Sequence, residues 1–182
     1  MVKRLIAFLL FLLWFGFVSN ATATIIDIDL NEFYFDSSVT VSADGSSATL
    51  AEDPNYFSVV LSSDPIWGAS GTLVPDNLES IQFYYNFIEP VSNDDEFYAG
   101  IFDGGSGTLM DEFYTSDPGS RQVGFDLSGI DPSIDLLGIE FQLNAWSGDM
   151  ALTSTLEISD VVMETSSNPI PEPGTMVLFA TC

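Results

Sequence analysis

The chain has 182 residues, of which 27 are acidic, 3 are basic and none is histidine, and its formal net charge is −24 at pH 7. A field of this sign opposes nucleic acid, anionic lipid and acidic substrates, which excludes nucleic-acid-binding proteins as a class. Without histidine the chain cannot build a Ser-His-Asp or Cys-His centre, nor a His-ligated zinc site. Cys182 is the single cysteine, so no intrachain disulfide can form.

The first 23 residues have the pattern of a cleavable export signal. Lys3 and Arg4 precede fourteen apolar residues, Leu5–Val18, and Ala21 and Ala23 then supply the small residues of an A-x-A cleavage site. The alternative is a membrane anchor, but a spanning helix needs roughly 20 apolar residues. We therefore expect the secretion machinery to export the chain and signal peptidase to cleave it after Ala23, which leaves all 27 acidic residues against one arginine.

Residues 24–165 predict one all-β domain, with no long helix after the export signal. Proline and glycine recur at short intervals, and the segments between them alternate with period two. In the clearest, Glu79–Glu89 and Leu137–Ala145, one face is expected on a core and the other in water. About nine strands favour an antiparallel sandwich, with turn-length helix expected at Asp131–Leu136. The weaker strand candidates are Ile26–Phe35, Val39–Val41, Ser47–Leu50, Tyr56–Leu61, Phe97–Phe102, Gln122–Leu127 and Thr155–Met163.

The order of these elements resembles the jelly roll of galactose-binding-like domains and carbohydrate-binding modules. The resemblance rests on "FYYNF", "DDEFYAGIFD", "VGFDLSGI", "LGIEFQLNA" and "STLEISDVVM", between residues 79 and 163. It implies that the long central strands form the core and that the last strand, Leu156–Met163, pairs near the first. An immunoglobulin-like sandwich has a similar alternation and stays open as an alternative.

Three aromatic residues are candidates for stacking on sugar rings. Trp67 and Trp146 lie in predicted loops, and Tyr84 lies on the polar face of its predicted strand. The alternative is that each tryptophan folds back to cover the edge of the sandwich. Arg121 is expected to pair with a structural carboxylate or, alternatively, to anchor an acidic sugar.

The acidic residues offer a candidate calcium site. Asp94, Asp95 and Glu96 lie in a turn before a predicted strand that ends near Asp103, and calcium takes oxygen ligands from such loops. A weaker group is Asp27, Asp29 and Glu32. The alternative is a solvated acidic turn, because neither an EF-hand spacing nor a complete calcium-binding nonapeptide is present. Paired carboxylates can also hydrolyse glycosides, but no acid is marked by the sequence as desolvated beside an aromatic wall.

The C-terminal stretch "PIPEPGTMVLF" resembles the start of a PEP-CTERM sorting signal, with the motif at Pro171, Glu172 and Pro173. The resemblance implies a Gram-negative exported protein, processed by an exosortase-type membrane protease, in a bacterium that makes extracellular polysaccharide. The family pattern continues into a membrane helix and a basic tail, whereas nine residues follow the motif here. Either the chain continues beyond Cys182, or the tail has been lost and the product is released.

Three functional hypotheses follow. The first is a non-enzymatic surface or matrix protein associated with exopolysaccharide in a biofilm. The second is a lectin-like carbohydrate-binding module that depends on calcium or acts without it. The third, a hydrolase, is the least supported by the residues present.

Overall fold

A computed structural model describes residues 23–89, 95–145 and 154–166, and its strands lie within one unit, Thr24–Thr165. Two short 3₁₀ turns, Leu30–Glu32 and Pro65–Trp67, interrupt the strands. Over these ranges no helix is long and apolar enough to span a membrane. The strands are β1 Thr24–Asp27, β2 Tyr34–Phe35, β3 Val39–Val41, β4 Ser47–Ala51, β5 Ser58–Ser62, β6 Thr72–Leu73, β7 Leu78–Ile88, β8 Glu96–Asp103, β9 Thr108–Thr115, β10 Gly119–Asp126, β11 Leu136–Asn144 and β12 Thr155–Thr165.

The strands form two antiparallel sheets that pack face to face. The first sheet has the order β10-β7-β12-β4-β3, with β1 also paired to β12. The second sheet has the order β2-β5-β11-β8-β9, with β6 also paired to β11. The predicted all-β sandwich is therefore confirmed, with twelve strands in the described ranges in place of about nine, and the last of these strands does pair with the first.

The core lies between the sheets because the alternating residues of the long strands turn their apolar side chains inward. Phe83 of β7 is fully buried and lies 5.0 Å, centroid to centroid, from Phe141 of β11 in the opposite sheet. It also contacts Phe97 and Phe125, both at about 6 Å. The inward face predicted for Glu79–Glu89 is thus confirmed as the centre of the core.

The predicted strand Ile26–Phe35 is wrong as a single element. Asp29 caps the 3₁₀ turn Leu30–Glu32 by accepting a hydrogen bond from the Asn31 backbone N–H at 2.9 Å. The turn divides the segment, so that β1 joins the first sheet and β2 joins the second. The chain therefore crosses between the sheets where the sequence pattern indicated continuous alternation.

Strand β9 was not predicted. It is the edge strand of the second sheet, so both of its faces are partly in water and its hydrophobic alternation is weak. A β-bulge also breaks the period between the pairs Ile101–Asp111 and Phe102–Leu109. The loop before it, residues 104–107, is the hairpin turn between β8 and β9.

Many of the acidic side chains hold turns. In five of the turns apart from the two 3₁₀ turns, an aspartate accepts a hydrogen bond from the backbone N–H two residues later, the geometry of an Asx turn. Hydrogen bonds from serine side chains, together with these backbone hydrogen bonds, lower the pKa of each aspartate. The turn at Asp131 replaces the short helix expected over Asp131–Leu136. The five residues are Asp44, Asp53, Asp103, Asp126 and Asp131.

Arg121 covers the open edge of the sandwich. It lies on β10, and its guanidinium carbon is 4.9 Å from the ring centre of Phe113 and 5.8 Å from that of Tyr85. A cation held over aromatic faces is stabilised by the ring quadrupole. The contacts that the structure describes for Arg121 are thus with aromatic rings, and its expected pairing with a structural carboxylate stays a prediction.

We expect Phe83→Ala to lower the free energy of unfolding by about 3–5 kcal/mol, because it removes the ring that joins the two sheets and leaves a cavity. The neighbouring Tyr84→Ala is the matched control and is expected to cost about 1 kcal/mol or less, since that ring points outward. Urea unfolding of both variants measures the difference. Equal losses would contradict the assignment of the two faces of β7.

Candidate functional site

The structure separates the two sequence-predicted sugar-stacking residues that it describes. Trp67 lies in the loop between β5 and β6, over the outer face of the second sheet, and is 42% exposed. Tyr84 lies on β7, on the outer face of the first sheet, and is 43% exposed. Trp146 lies outside the described residues. Trp67 and Tyr84 therefore cannot contribute to one surface.

A short 3₁₀ turn presents Trp67. Asp64 caps it by accepting a hydrogen bond from the Ile66 backbone N–H at 2.9 Å, and Pro65 occupies its first position. Gly68 ends the turn with a φ of 90°, in the left-handed region that favours glycine. The turn rests directly on β11, since a Cβ at Gly138 would lie 2.7 Å from the Asp64 Cβ.

The Trp67 indole is held by a buried carboxylate. Its Nε1–H donates to Glu140 Oε2 at 2.5 Å, while the Gln142 side-chain amide donates to the other Glu140 oxygen. Ser58 Oγ in turn donates to Gln142 Oε1 at 3.3 Å. Glu140 is only 5% exposed, and a charge so far removed from water must be compensated by such donors. The alternation in β11 predicted that Glu140 faces water, and this is wrong because the Trp67 turn covers it.

A second ring lies beside Trp67. Tyr34 of β2 stacks on it with centroids 5.9 Å apart and planes 17° from parallel. The Tyr34 hydroxyl donates to Asp36 Oδ1 at 3.1 Å, which raises the pKa of the phenol, and the other Asp36 oxygen accepts from the Val60 backbone N–H at 2.9 Å. Carboxylates thus hold the polar ends of both rings. We call Tyr34 and Trp67 the aromatic platform.

Strand register places further groups in line with the platform. One residue on each of the five strands lies directly opposite its partner on the next strand, which forms a line across the sheet. In the order β2, β5, β11, β8 and β9, these residues are Tyr34, Ser62, Glu140, Gly100 and Glu112. Because Trp67 reaches from Tyr34 to Glu140, the indole spans the position of the buried Ser62. The line therefore begins with aromatic rings and ends with the exposed carboxylate of Glu112.

Gly100 allows two aromatic side chains to converge between the carboxylates. A Cβ added at Gly100 would lie 2.5 Å from the Tyr98 hydroxyl oxygen and 2.8 Å from the ring of Phe102. Burial, and then the charges of Glu112 and Glu140, raise the pKa of Tyr98 to about 12. The phenol therefore stays a hydrogen-bond donor at neutral pH.

We call this surface, the outer face of the second sheet with Tyr34, Trp67, Glu140, Tyr98 and Glu112, the candidate face. Its rings can cover apolar ligand surface, and the exposed carboxylate of Glu112 can accept hydrogen bonds from hydroxyl groups, while the buried Glu140 holds the indole in place. The sequence indicated Trp67 alone. The other members are spread over four strands, and no sequence pattern signals which outward residues a distant loop will cover.

The predicted calcium ligands are not brought to one place. Asp95 is fully buried and Glu96 begins β8, whereas Asp103 ends it, so the two ends are about 23 Å apart at roughly 3.3 Å per residue. Asp103 accepts hydrogen bonds from the Gly105 backbone N–H and the Ser106 hydroxyl, and so holds the hairpin turn. Asp94 lies outside the described residues. In the part of the chain that the structure describes, no group of three or more acidic or sulfur side chains could hold a metal ion.

The weaker acidic group lies beside a groove of about 320 Å³ on the first sheet. Asp27 and Asp29 line it together with Asp44 and Asp160, while Glu32 is not among its lining residues. Asp29 and Asp44 already hold turns through hydrogen bonds.

The export and sorting residues are not tested by the structure. Ala23 is the first described residue and is exposed. Ala21, Pro171, Glu172 and Pro173 lie outside the described residues.

No protein-family model matches this sequence, and no curated protein matches it. Among solved structures, the chain is similar to an arabinose-bound GH51 α-L-arabinofuranosidase (TM-score 0.41, 14% identity), covering 82% of this chain and only 22% of that one. It is also similar to CBM27-1 of Caldicellulosiruptor saccharolyticus in complex with mannohexaose (TM-score 0.45, 13% identity), covering 78% and 96% of the two chains. A third is TmCBM61 in complex with β-1,4-galactotriose (TM-score 0.39, 12% identity), covering 81% and 90%. The last two are carbohydrate-binding modules.

We expect alkaline titration of the phenol absorbance to show a tyrosine with a pKa of about 12 that is missing in Tyr98→Phe. Because this pKa lies above the ordinary value of 10.0, the Tyr98 contribution to stability is present below pH 10 and is lost as the pH rises towards 12. Glu112→Gln should lower the Tyr98 pKa, whereas Glu79→Gln, on the first sheet, should leave it unchanged. An unaltered titration in Glu112→Gln would contradict the contribution of that carboxylate to the Tyr98 pKa.

Proposed function

We propose that the protein is a non-catalytic polysaccharide-binding β-sandwich that acts outside the cytoplasm. The observation that carries the proposal is the aromatic platform, in which Trp67 is fixed against the buried carboxylate of Glu140 and stacked on Tyr34.

The candidate face has the two kinds of group that sugar recognition requires. A pyranose ring has apolar C–H faces and a rim of hydroxyl groups. The platform can cover the C–H faces, since aromatic rings contribute large apolar surface at a low entropic cost. The exposed carboxylate of Glu112 can accept hydrogen bonds from the rim, and bonds to a charged acceptor are worth about 1.5–3 kcal/mol each. Because hydrogen bonds fix both platform rings, little of this energy is lost in ordering them.

The arrangement of donors favours binding over hydrolysis. Glycoside hydrolysis needs one carboxyl group that carries a proton and delivers it to the leaving oxygen. Both oxygens of Glu140 accept hydrogen bonds from N–H donors, as a carboxylate does. Glu112, on the other side of Gly100, is exposed to water. Glu140 is therefore not placed to deliver a proton to a leaving oxygen, which favours binding over hydrolysis.

The destination of the protein belongs to the same proposal. The export signal that ends at Ala23 and the PEP-CTERM-like motif at Pro171, Glu172 and Pro173 would route the chain to the envelope of a Gram-negative bacterium. There the extracellular polysaccharide of a biofilm would be the natural ligand. Signal peptidase and an exosortase-type protease would be its processing partners.

Affinity electrophoresis through gels that contain soluble polysaccharides tests the binding function. We expect the wild-type protein to be retarded by at least one neutral polysaccharide and Trp67→Ala to lose most of the retardation, because that ring is half of the platform. Tyr84→Ala is the matched control: it removes an equally exposed aromatic ring from the first sheet and should bind like wild type. Loss in Tyr84→Ala with retention in Trp67→Ala would move the site to the other sheet.

The same assay separates the remaining hypotheses. If a chelator abolishes retardation and calcium restores it, the lectin-like function depends on calcium. If reducing ends accumulate and Glu140→Gln abolishes them, the protein is a hydrolase and the non-catalytic proposal is wrong.

A further inference from the structure

We infer that the candidate face binds an internal stretch of an uncharged polysaccharide, laid across the strands from β2 to β9. The inference rests on the proposed function and goes beyond it in naming the ligand class, its charge and its direction. Three observations carry it: the line of groups across the sheet, the position of its two ends, and the charges along it.

The line gives the direction. Tyr34, Ser62, Glu140, Gly100 and Glu112 occupy one level on five neighbouring strands. Four gaps of about 4.8 Å make this line about 19 Å long, which is longer than one sugar ring. Stacking surface and hydrogen-bonding groups follow one another along it, because the platform, which covers Ser62 and Glu140, is followed by the Tyr98 and Phe102 side chains over Gly100 and then by Glu112.

The ends of the line favour a continuing polymer. Tyr34 lies on β2 and Glu112 on β9, and these are the two edge strands in the order of the second sheet. A site for a terminal sugar requires a closed end that holds the last ring. A line that reaches both edges of a sheet leaves the next rings on either side free to pass into solvent.

The charges exclude an acidic ligand. Glu112 and Glu140 lie on the line, and Asp36 holds the platform beside it. Arg121, the one basic residue of the described ranges, lies in the first sheet over the ring of Phe113. A uronic acid polymer would place its carboxylates against those of the protein without a compensating cation, so hydroxyl groups are the complementary partners.

Isothermal titration calorimetry with linear cello-, manno- and xylo-oligosaccharides, from monosaccharide to hexasaccharide, tests the inference on the wild-type protein. For at least one series we expect affinity to rise by about tenfold or more from disaccharide to hexasaccharide, as successive rings reach further groups along the line. Galacturonic acid oligomers of the same lengths should bind at least about tenfold more weakly than that series.

A glycine pair supplies the matched variants. Gly100→Ala pushes the tips of Tyr98 and Phe102 out of line and should reduce hexasaccharide affinity about tenfold while leaving disaccharide affinity near wild type. Gly124→Ala, in β10 of the first sheet, meets its nearest atom at an ordinary 3.5 Å and should change neither affinity. Far-ultraviolet circular dichroism confirms that both variants are folded.

The outcomes distinguish this inference from the proposed function. If a monosaccharide binds as tightly as a hexasaccharide, or if acidic oligomers bind as tightly as neutral ones, the inference is wrong and the binding function stands. Binding confined to glucosamine oligomers and lost in high salt would also overturn it, since charge alone would then explain it. If neither the oligosaccharides nor the polysaccharides of the electrophoresis bind, the proposed function itself fails.

Discussion

Packing of aromatic side chains between the two sheets is the interaction on which the rest of the structure depends. Phe83 contacts rings from both sheets, and the alternation that turns it inward also turns its neighbours outward. Since burial of apolar surface is the main driving force of folding, the inner faces are committed to stability. The outer faces and their covering loops are left for function. The platform lies on one of these outer faces.

Glu140 connects this fold to the candidate face. A carboxylate at that position would be solvated if the loop after β5 were not folded onto β11, and Gly138 provides the space for this contact. Once the loop is in place, Trp67 and Gln142 compensate the buried charge, and the charge in turn fixes the indole. The position of the loop, the burial of Glu140 and the orientation of the Trp67 ring therefore depend on one another. Hydrogen bonds offset the cost of burying the acid, and the same bonds preorganise the aromatic surface.

The sequence was sufficient for features that depend on local alternation and insufficient for those that depend on distant contacts. Period two predicted β7 and β11 nearly to their ends because each has one face on the core. It failed at β9, where an edge position and a bulge remove the alternation. The candidate face could not be predicted from the sequence for a similar reason. Glu140 and Trp67 are 73 residues apart, and nothing in either segment signals that they meet.

We propose that the ligand binds to the outer face of the second sheet. Titration of ¹⁵N-labelled protein with a neutral hexasaccharide that binds, followed by nuclear magnetic resonance, tests this placement. The indole N–H signal of Trp67 and the backbone amide signals of Tyr98 and Glu140 should shift together, while the amide signal of Tyr84 should stay in place. Shifts around Tyr84 with no change at the Trp67 indole would contradict it.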